Sequence, residues 1–302
     1  MKICYLDFWP LFNLGDNEWH LKNNWFNLLF NNIFTDRIIT YNNSPDEADI
    51  IIFSCFGEEH KKYKNSSAIL ISYIGENLNP VEFDGFKRQE TVLKPDFNYC
   101  HYSLSFDFDT YNGRNFRLPH WFLYLNWWNE ANAYYTKISE LEHKYTPVDI
   151  YNRDKFCSIV ISNPVQNRID AYNSLSKYEQ VDGFGTAFGE HCNSNKLDIL
   201  KNYRFNICFE SAISDGYITE KLLQAKIAGC IPIYYGDDSV KFDFNEKCFI
   251  DSRKFNDNKE LTKYIAELDN NADKFDEICS EPLFNILPNL DNLNNFLRRI
   301  IS

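Results

Sequence analysis

Short, continuous apolar runs recur along the chain, and they limit its fold more than any other feature of the sequence. Two lie in the first half, ADIIIFSCF at 48–56 and AILISYIG at 68–75. Three lie in the second half, FCSIVIS at 156–162, RFNICFE at 204–210 and IPIYYG at 231–236. Runs of this kind suit strands that are buried on both faces of a parallel sheet. Because such sheets are covered by helices, the pattern predicts an α/β fold.

Stretches with helical spacing of apolar residues separate these runs. A first strand is predicted at 2–9, where Asp7 and Pro10 interrupt an apolar segment that is too short for a signal peptide. Helices are predicted at 18–34, 167–178, 219–229, 257–281 and 289–301. Loops and short strands are predicted for the segment 76–120, which is rich in Asp, Asn and Gly.

The length of 302 residues predicts two domains, at about 100 to 200 residues each. Residues 129–155 are predicted to form a polar helix and a linker, and the charges around Pro147 favour a boundary at 145–155. We therefore expect an N-terminal α/β domain at 1–150 and a C-terminal α/β domain at 151–302. Two such domains without a metal motif predict a ligand in the cleft between them.

Composition excludes several classes of protein. Acidic residues outnumber basic ones by 43 to 31, which argues against broad nucleic-acid binding but leaves room for a local basic pocket. A composition of 44% hydrophobic and 25% charged residues excludes intrinsic disorder. No apolar run is long enough for a transmembrane helix. The nine Cys form no CxxC pair, which predicts neither a zinc site nor a disulfide framework. We expect a soluble, cytoplasmic protein.

The segment 205–238, FNICFESAISDGYITEKLLQAKIAGCIPIYYGDD, carries the most chemical information. A buried strand ends at Glu210, and a helix begins near Thr219, which is a good N-cap residue. Glu220 follows in the first turn, and Lys221 comes next. A helix N-terminus beside a Lys suits a phosphate, and the neighbouring carboxylate can accept hydrogen bonds from ribose hydroxyls. The alternative is an ordinary helix cap with a surface Glu–Lys pair.

This segment resembles the signature of the α-1,3-fucosyltransferases, family ten of the glycosyltransferases, through CFES, GYITEKL and IPIYYG. The resemblance continues through SVKFDFNEKCFIDSRKF at 239–255. It implies a GT-B fold, in which two Rossmann-like α/β domains face a cleft. It also implies GDP-L-fucose as the donor, a glycan hydroxyl as the acceptor, inversion at the sugar and no obligatory metal. One departure is Ser211, where the family usually has Asn.

The resemblance assigns nucleotide-binding roles to four residues. Arg168, in SNPVQNRIDAYNSL at 162–175, matches an Arg that contacts the diphosphate in the family. With Lys221 it would neutralise the leaving group, while Glu220 would hold the ribose and Tyr217 would line the same pocket. The alternative for Arg168 is a surface side chain that pairs with Asp170 or Glu179.

Two carboxylates are the predicted catalytic residues. Glu76 lies in YIGEN at 73–77, just past the carboxyl end of a predicted strand, where it matches the proposed general base of the family. Ile74 stands where the family commonly has Thr. The alternative for Glu76 is a loop carboxylate or a helix cap. Glu210 is expected near the sugar, where a carboxylate can stabilise developing positive charge.

Other polar patterns are weaker. Asp107 and Asp109 match the D-x-D pattern of metal-dependent glycosyltransferases, but two carboxylates on a loop are common. The adjacent pair Asp237 and Asp238 is interpreted as part of a loop or a helix cap. The stretch RLPHWFLYLNWW at 117–128 is either an acceptor platform or, more commonly for aromatic stripes, core. His120 within it is predicted to be a hydrogen-bonded, partly buried group rather than a catalyst.

The expected function is transfer of L-fucose from GDP-β-L-fucose to a glycan hydroxyl, O3 of a GlcNAc unit. One rival is a transferase for another GDP-sugar on the same scaffold, which Ser211 keeps open. The other is a non-catalytic carbohydrate-binding relative. Without heptad repeats, a basic tail or an N-terminal anchor, the sequence is expected to be a bare catalytic unit.

Overall fold

The computed structural model describes residues 1–8, 24–42, 44–77, 82–83, 86–87, 94–128, 136–138, 141, 147–189 and 195–301. Within these residues the chain forms two parallel sheets, each covered by helices. The predicted α/β fold is therefore confirmed.

The first sheet is built from residues of the N-terminal half. The described strands of this half are β1 (Lys2–Leu6), β2 (Thr40–Asn42), β3 (Ile50–Phe53), β4 (Ile69–Ile74), β5 (Glu82–Phe83), β6 (Phe86–Lys87), β7 (Tyr102–Ser105), β8 (Asn115–Arg117), β9 (Leu125–Asn126) and β10 (Thr136–Lys137). Six of them form one sheet in the order β2-β1-β3-β4-β7-β8, and all of its pairs are parallel. Two small pairs, β5 with β6 and β9 with β10, lie outside the main sheet. The apolar runs at 48–56 and 68–75 are the two central strands, β3 and β4.

The second sheet is built from the C-terminal half. Its strands are β11 (Lys155–Val160), β12 (Val181–Phe184), β13 (Tyr203–Phe209), β14 (Ile231–Tyr235) and β15 (Ile250–Asp251). They pair in parallel in the order β12-β11-β13-β14-β15. This is a doubly wound order, because β12 is added on one side of β11 and β13 to β15 are added on the other side. A crevice for ligands opens at the carboxyl ends of β11 and β13.

The described helices cover both sheets, within the five predicted stretches and at three further positions, 147–151, 196–200 and 240–243. They are α1 (Trp25–Ile33), α2 (Pro147–Tyr151), α3 (Gln166–Leu175), α4 (Lys196–Leu200), α5 (Glu220–Ile227), α6 (Val240–Asp243), α7 (Asn258–Asp269), α8 (Ala272–Ser280) and α9 (Asp291–Ile300). The helix predicted at 257–281 is in fact two helices, because Asn271 ends the first and caps the second through Lys274 N.

Among the predictions that fall partly outside the described residues are two helices. The part of the helix predicted at 18–34 that precedes Asn24 lies there, and the described part begins at Trp25 with Asn24 as its N-cap. Of the polar helix predicted within 129–155, the structure describes β10 and α2 at its two ends. A polar helix across residues 136–137 is wrong, because these residues pair with β9 in a short parallel ladder.

The last helix packs against the first sheet. Leu293, Phe296 and Leu297 of α9 belong to the same buried cluster as Ile3 of β1 and Ile71 of β4. The chain therefore returns to its N-terminal unit after completing the second sheet. The boundary at 145–155 stays a prediction, but apolar residues of 290–301 pack with the first unit.

The aromatic stretch at 117–128 joins the two units. Arg117 makes two hydrogen bonds to Asp243 of α6, at 2.7 and 2.8 Å, and the Trp121 indole donates to the same carboxylate at 3.1 Å. Trp121 is 2% exposed and packs on Phe244 and Phe284 of the second unit. This part of the stretch is therefore core, as aromatic stripes usually are.

In the part of the chain that the structure describes, no helix is long and apolar enough to cross a bilayer.

Candidate active site

Arg168 lies at the crevice of the second sheet. Its side chain is buried, and it donates from Nε to the Phe209 carbonyl at the end of β13 and from Nη1 to the Asn163 carbonyl that follows β11, both at 2.9 Å. The surface alternative is wrong, because Asp170 accepts from Gln166 and Glu179 pairs with Arg204. Burial lowers the pKa of the Arg168 guanidinium, although the nearby Glu210 carboxylate acts in the opposite direction. The crevice thus holds a fixed cation where nucleotides bind in such sheets.

Glu210 and Lys221 form a buried ion pair directly after β13. Lys221 Nζ lies 3.0 Å from Glu210 Oε2, and Thr219 donates to Glu210 Oε1 from its backbone N–H at 2.8 Å. The Thr219 hydroxyl completes the cluster with contacts to both groups, at 2.9 and 2.8 Å from the carboxylate oxygens and 2.8 Å from Lys221 Nζ. Glu210 is 0% exposed, whereas the Lys221 side chain is 17% exposed. Burial lowers the pKa of Lys221, but the carboxylates of Glu210 and Glu220 outweigh it and raise the pKa.

The environment of Glu210 bears on its predicted catalytic role. Its carboxylate is directed at Thr219 and Lys221 at the start of α5, and no part of its surface is open to a sugar. This arrangement favours a role in holding Lys221 over direct contact with the reacting centre. The catalytic assignment of Glu210 stays a prediction.

Thr219 stands at the N-cap position of α5 but does not cap the helix with its side chain. The expected cap is wrong, because the hydroxyl takes part in the Glu210–Lys221 cluster instead. The hydroxyl donates to the Glu210 carboxylate and accepts from Lys221 Nζ, and hydrogen bonds to charged groups are stronger than the neutral hydrogen bond of a cap.

Glu220 lies in the first turn of α5, beside two ammonium groups. Lys196 Nζ lies 3.4 Å and Lys221 Nζ lies 3.8 Å from Glu220 Oε1, and the Glu220 side chain is 16% exposed. Burial alone would raise the pKa of this carboxyl, but Lys221 and Lys196 outweigh it and hold the pKa well below its usual range. Glu220 is therefore an ionised acceptor at neutral pH. Lys196 is a site residue that the sequence analysis missed, since its segment carries no motif.

Tyr217 connects the second unit to the first. It is 2% exposed, its hydroxyl donates to Glu76 Oε2 at 3.2 Å, and its ring packs edge-on against Phe106 at 5.4 Å. The sequence analysis groups Tyr217 with the nucleotide-binding residues, but in the structure its hydroxyl reaches the predicted base. Burial and the nearby Glu76 carboxylate raise the pKa of Tyr217 well above its usual value, so it is a neutral donor.

Glu76 follows β4 at the carboxyl edge of the first sheet, and its side chain is 35% exposed. On the side away from Tyr217, His120 Nε2 lies 3.9 Å from Glu76 Oε1. His120 is 6% exposed, and its Nδ1 lies 3.1 Å from the Tyr73 hydroxyl. His120 is therefore hydrogen-bonded and buried, and it contacts the predicted base, which no sequence motif indicated.

The acidic pattern at 107–109 is used within its own loop. Asp107 accepts from Asp109 N at 3.0 Å and from the Tyr111 hydroxyl at 2.6 Å, and Asp109 accepts from Tyr111 N at 2.8 Å. Among the described residues, no group of three or more His, Cys, Asp or Glu side chains is arranged to hold a metal ion.

The site therefore has two parts, and contacts such as Tyr217 to Glu76 and Asn77 to Ser214 lie between the two units. Arg168, Lys221 and the N-terminus of α5 form a cationic part on the second sheet. Glu76 forms an anionic part on the first sheet, and Tyr217 connects the two. Two doubly wound sheets that face each other across such a cleft define the GT-B class of glycosyltransferase folds.

Comparison with known proteins identifies the family. Residues 150–279 match the C-terminal model of glycosyltransferase family 10 (fucosyltransferase), and residues 3–124 match the N-terminal domain of α-(1,3)-fucosyltransferase FucT. Together the two matches cover most of the chain. The protein belongs to glycosyltransferase family 10.

Individual relatives agree with this assignment. The α-(1,3)-fucosyltransferase FucT of Helicobacter pylori is 27% identical over 95% of this chain and 61% of its own length. The human 4-galactosyl-N-acetylglucosaminide 3-α-L-fucosyltransferase 9 is 34% identical over 41% of this chain and 36% of its own length. The chain thus spans about three-fifths of the bacterial relative and just over a third of the human one.

Solved structures share the whole fold. A crystal structure of α1,3-fucosyltransferase superposes with a TM-score of 0.74 at 25% identity, and covers 100% of this chain and 90% of its own. A crystal structure of α1,3-fucosyltransferase with GDP-fucose superposes with a TM-score of 0.70 at 23% identity and the same coverage.

Proposed function

We propose that this protein is an inverting fucosyltransferase that moves L-fucose from GDP-β-L-fucose to a glycan hydroxyl. One observation carries the proposal. Tyr217, which precedes the Thr219–Lys221 cluster by two residues, donates from its hydroxyl to the carboxylate of Glu76 on the first sheet at 3.2 Å. A base and a leaving-group site on opposite sides of one cleft are what a displacement at a sugar carbon requires.

The second sheet would bind the nucleotide. Arg168 and Lys221 would neutralise the diphosphate, together with the N–H groups at the start of α5. Glu220, held ionised by its two Lys neighbours, would accept hydrogen bonds from the ribose hydroxyls. The α1,3-fucosyltransferase of the same fold that carries GDP-fucose in its crystal structure supports this donor. Because Arg168 already donates to two carbonyls, it is a preorganised cation rather than a mobile clamp.

The first sheet would bring the acceptor to the donor. The acceptor oxygen forms a bond to C1 of fucose while the bond from C1 to the diphosphate oxygen breaks. The hydroxyl proton goes to the Glu76 carboxylate, and the electron pair of the broken bond leaves with GDP. Attack from the face opposite the leaving group converts a β-linked donor into an α-linked product. Tyr217 would orient Glu76 during the step, since its raised pKa keeps its proton in place.

Glu210 would act through Lys221. A carboxylate without exposed surface, 3.0 Å from the ammonium, fixes the position of the cation that meets the diphosphate. The acceptor O3 of a GlcNAc unit is part of the proposal, and the human relative, a 4-galactosyl-N-acetylglucosaminide 3-α-L-fucosyltransferase, supports it. A division into an acceptor-binding domain at 1–150 and a donor-binding domain at 151–302, and a cytoplasmic location, stay predictions.

One observation keeps a second candidate open. Ser211, in the loop after Glu210, stands where the family usually has Asn, and its side chain is near enough to Tyr217 to lower the pKa of that hydroxyl. A different side chain beside the predicted sugar position can change which GDP-sugar fits. The second candidate is therefore a transferase for another GDP-sugar on the same site.

A donor panel separates these functions. The purified chain is incubated with GDP-fucose, GDP-mannose or another GDP-sugar and with a Galβ1-4GlcNAc acceptor, and GDP release and product linkage are measured. We expect acceptor-dependent release with GDP-fucose alone and an α-1,3-linked fucose by NMR. Faster turnover with another GDP-sugar would favour the second candidate. GDP binding without turnover of any donor would favour a non-catalytic relative.

A further inference from the structure

The contacts of His120 set it apart from an ordinary buried histidine. It lies in the 3-10 helix His120–Tyr124, which follows β8, and its ring is held between Tyr73 of β4 and the Glu76 carboxylate. A Cβ atom at Gly75 would lie 2.7 Å from His120 Nδ1, so the ring packs directly on the backbone that precedes Glu76. The two ring nitrogens therefore face two different partners within one buried cluster.

The partners define which nitrogen carries the proton. Glu76 Oε1, opposite Nε2, can only accept when it is ionised, so the arrangement is favourable when Nε2 carries a hydrogen. Nδ1 is then free to accept from the Tyr73 hydroxyl, which is 3.1 Å away and buried. The hydrogen bond that one ring nitrogen of a histidine makes commonly determines whether the other nitrogen carries the proton.

We propose that His120 is a positioning residue for Glu76, with its Nε2–H directed at Oε1 and its tautomer set by Tyr73. The inference rests on the proposed function of Glu76 as the base. The present separation of 3.9 Å is too long for a hydrogen bond, but catalytic hydrogen bonds are often long without substrate and shorten when it binds. With Tyr217 on Oε2 and His120 on Oε1, the carboxylate would be held from both sides and directed at the acceptor hydroxyl.

Two isosteric variants test the role. In His120→Gln the amide nitrogen lies near the position of Nε2, so a donor toward Glu76 remains. In His120→Asn the amide reaches only the position of Nδ1, so the contact with Tyr73 remains and the donor toward Glu76 is lost. We expect His120→Asn to lower kcat by about 10- to 100-fold, the usual range for one hydrogen bond to a charged group. We expect His120→Gln to restore most of that loss, and KM for GDP-fucose to change less than about twofold in both.

The assay outcomes are distinct. Equal kcat for both variants and the unchanged chain would overturn the positioning role. Equal losses in both variants, together with weaker GDP binding, would also overturn it, because a merely structural histidine is not rescued by Gln. If the unchanged chain transfers no sugar from any GDP-sugar, the proposed function itself fails.

An NMR measurement tests the same inference without turnover. In the full chain labelled with ¹⁵N-histidine, the His120 signals are identified by their loss in His120→Asn. In the neutral ring we expect the proton on Nε2 and an unprotonated Nδ1 that accepts a hydrogen bond from Tyr73. A proton on Nδ1 alone would overturn the positioning role, because Nε2 would then have no hydrogen to direct at Glu76.

Discussion

Removing the ammonium of Lys221 should destabilise the protein, apart from any effect on the nucleotide. The Glu210 carboxylate has 0% exposure, and Lys221, 3.0 Å away, is its cationic partner. In Lys221→Met the aliphatic stem is kept, so the main change is loss of the charge. Glu210 then keeps only the N–H and the hydroxyl of Thr219 as donors.

The magnitude follows from the burial of the pair. Taking one partner from a buried ion pair costs roughly 3–5 kcal/mol, because the remaining charge stays out of water. Neutralising both partners, in Lys221→Met combined with Glu210→Gln, removes that uncompensated charge. We expect the double variant to regain at least about 2 kcal/mol relative to Lys221→Met. The Gln amide oxygen can still accept from Thr219.

Urea unfolding followed by aromatic fluorescence measures these free energies. Lys201→Met is the matched control, because Lys201 pairs with Asp198 at 2.8 Å with both side chains 59% exposed. This control should cost less than about 1 kcal/mol. The reasoning is refuted if Lys221→Met costs no more than the control, or if the double variant is no more stable than Lys221→Met.

Three further predictions follow from single contacts. Glu220 has a folded pKa below its ordinary value of 4.5, so its contribution to stability is complete above pH 4.5 and is lost as the pH falls toward the lowered value. In Glu220→Gln the urea midpoint should therefore depend less on pH in this acid range. An unchanged dependence on pH would contradict the assignment. Gly75→Ala would place a Cβ atom against Tyr73 and His120, so it should lower the free energy of unfolding by about 1–3 kcal/mol and lower turnover. Unchanged stability would show that Tyr73 and His120 shift to make room for the added atom. Activity should survive EDTA, because in the proposed function side-chain cations and a helix N-terminus would meet the diphosphate. Complete loss of activity that manganese restores would make Asp107 and Asp109 metal ligands.

Local pattern predicted the elements that carry the site. RFNICFE at 204–210 is β13 at Tyr203–Phe209, and IPIYYG at 231–236 is β14 at Ile231–Tyr235. Both are buried on two faces, so an uninterrupted apolar run is a sufficient signal. The position of Glu76 past the end of β4 followed from the same reasoning.

Contacts between distant segments were not predictable in this way. The Tyr217 hydroxyl reaches Glu76, 141 residues away, and His120 reaches it from 44 positions along the chain. The Thr219 hydroxyl bonds to Glu210 instead of capping α5. This contact depends on which groups surround a buried carboxylate in three dimensions. The return of α9 to the first sheet depends on which apolar face remains uncovered, which periodicity alone does not specify.

The most direct test of the account is the response of turnover and nucleotide binding to Glu76→Gln. Gln keeps the shape of the side chain but cannot take the acceptor proton, so kcat with GDP-fucose should fall by about 10²- to 10⁴-fold. The Kd for GDP should stay the same, since the nucleotide would lie against the second sheet. Glu47→Gln, which changes an exposed carboxylate paired with Lys2, is the control and should leave both values unchanged. If Glu76→Gln keeps more than about a tenth of kcat when chemistry limits the rate, Glu76 is not the base. If it abolishes GDP binding instead, the division of labour between the two sheets is wrong.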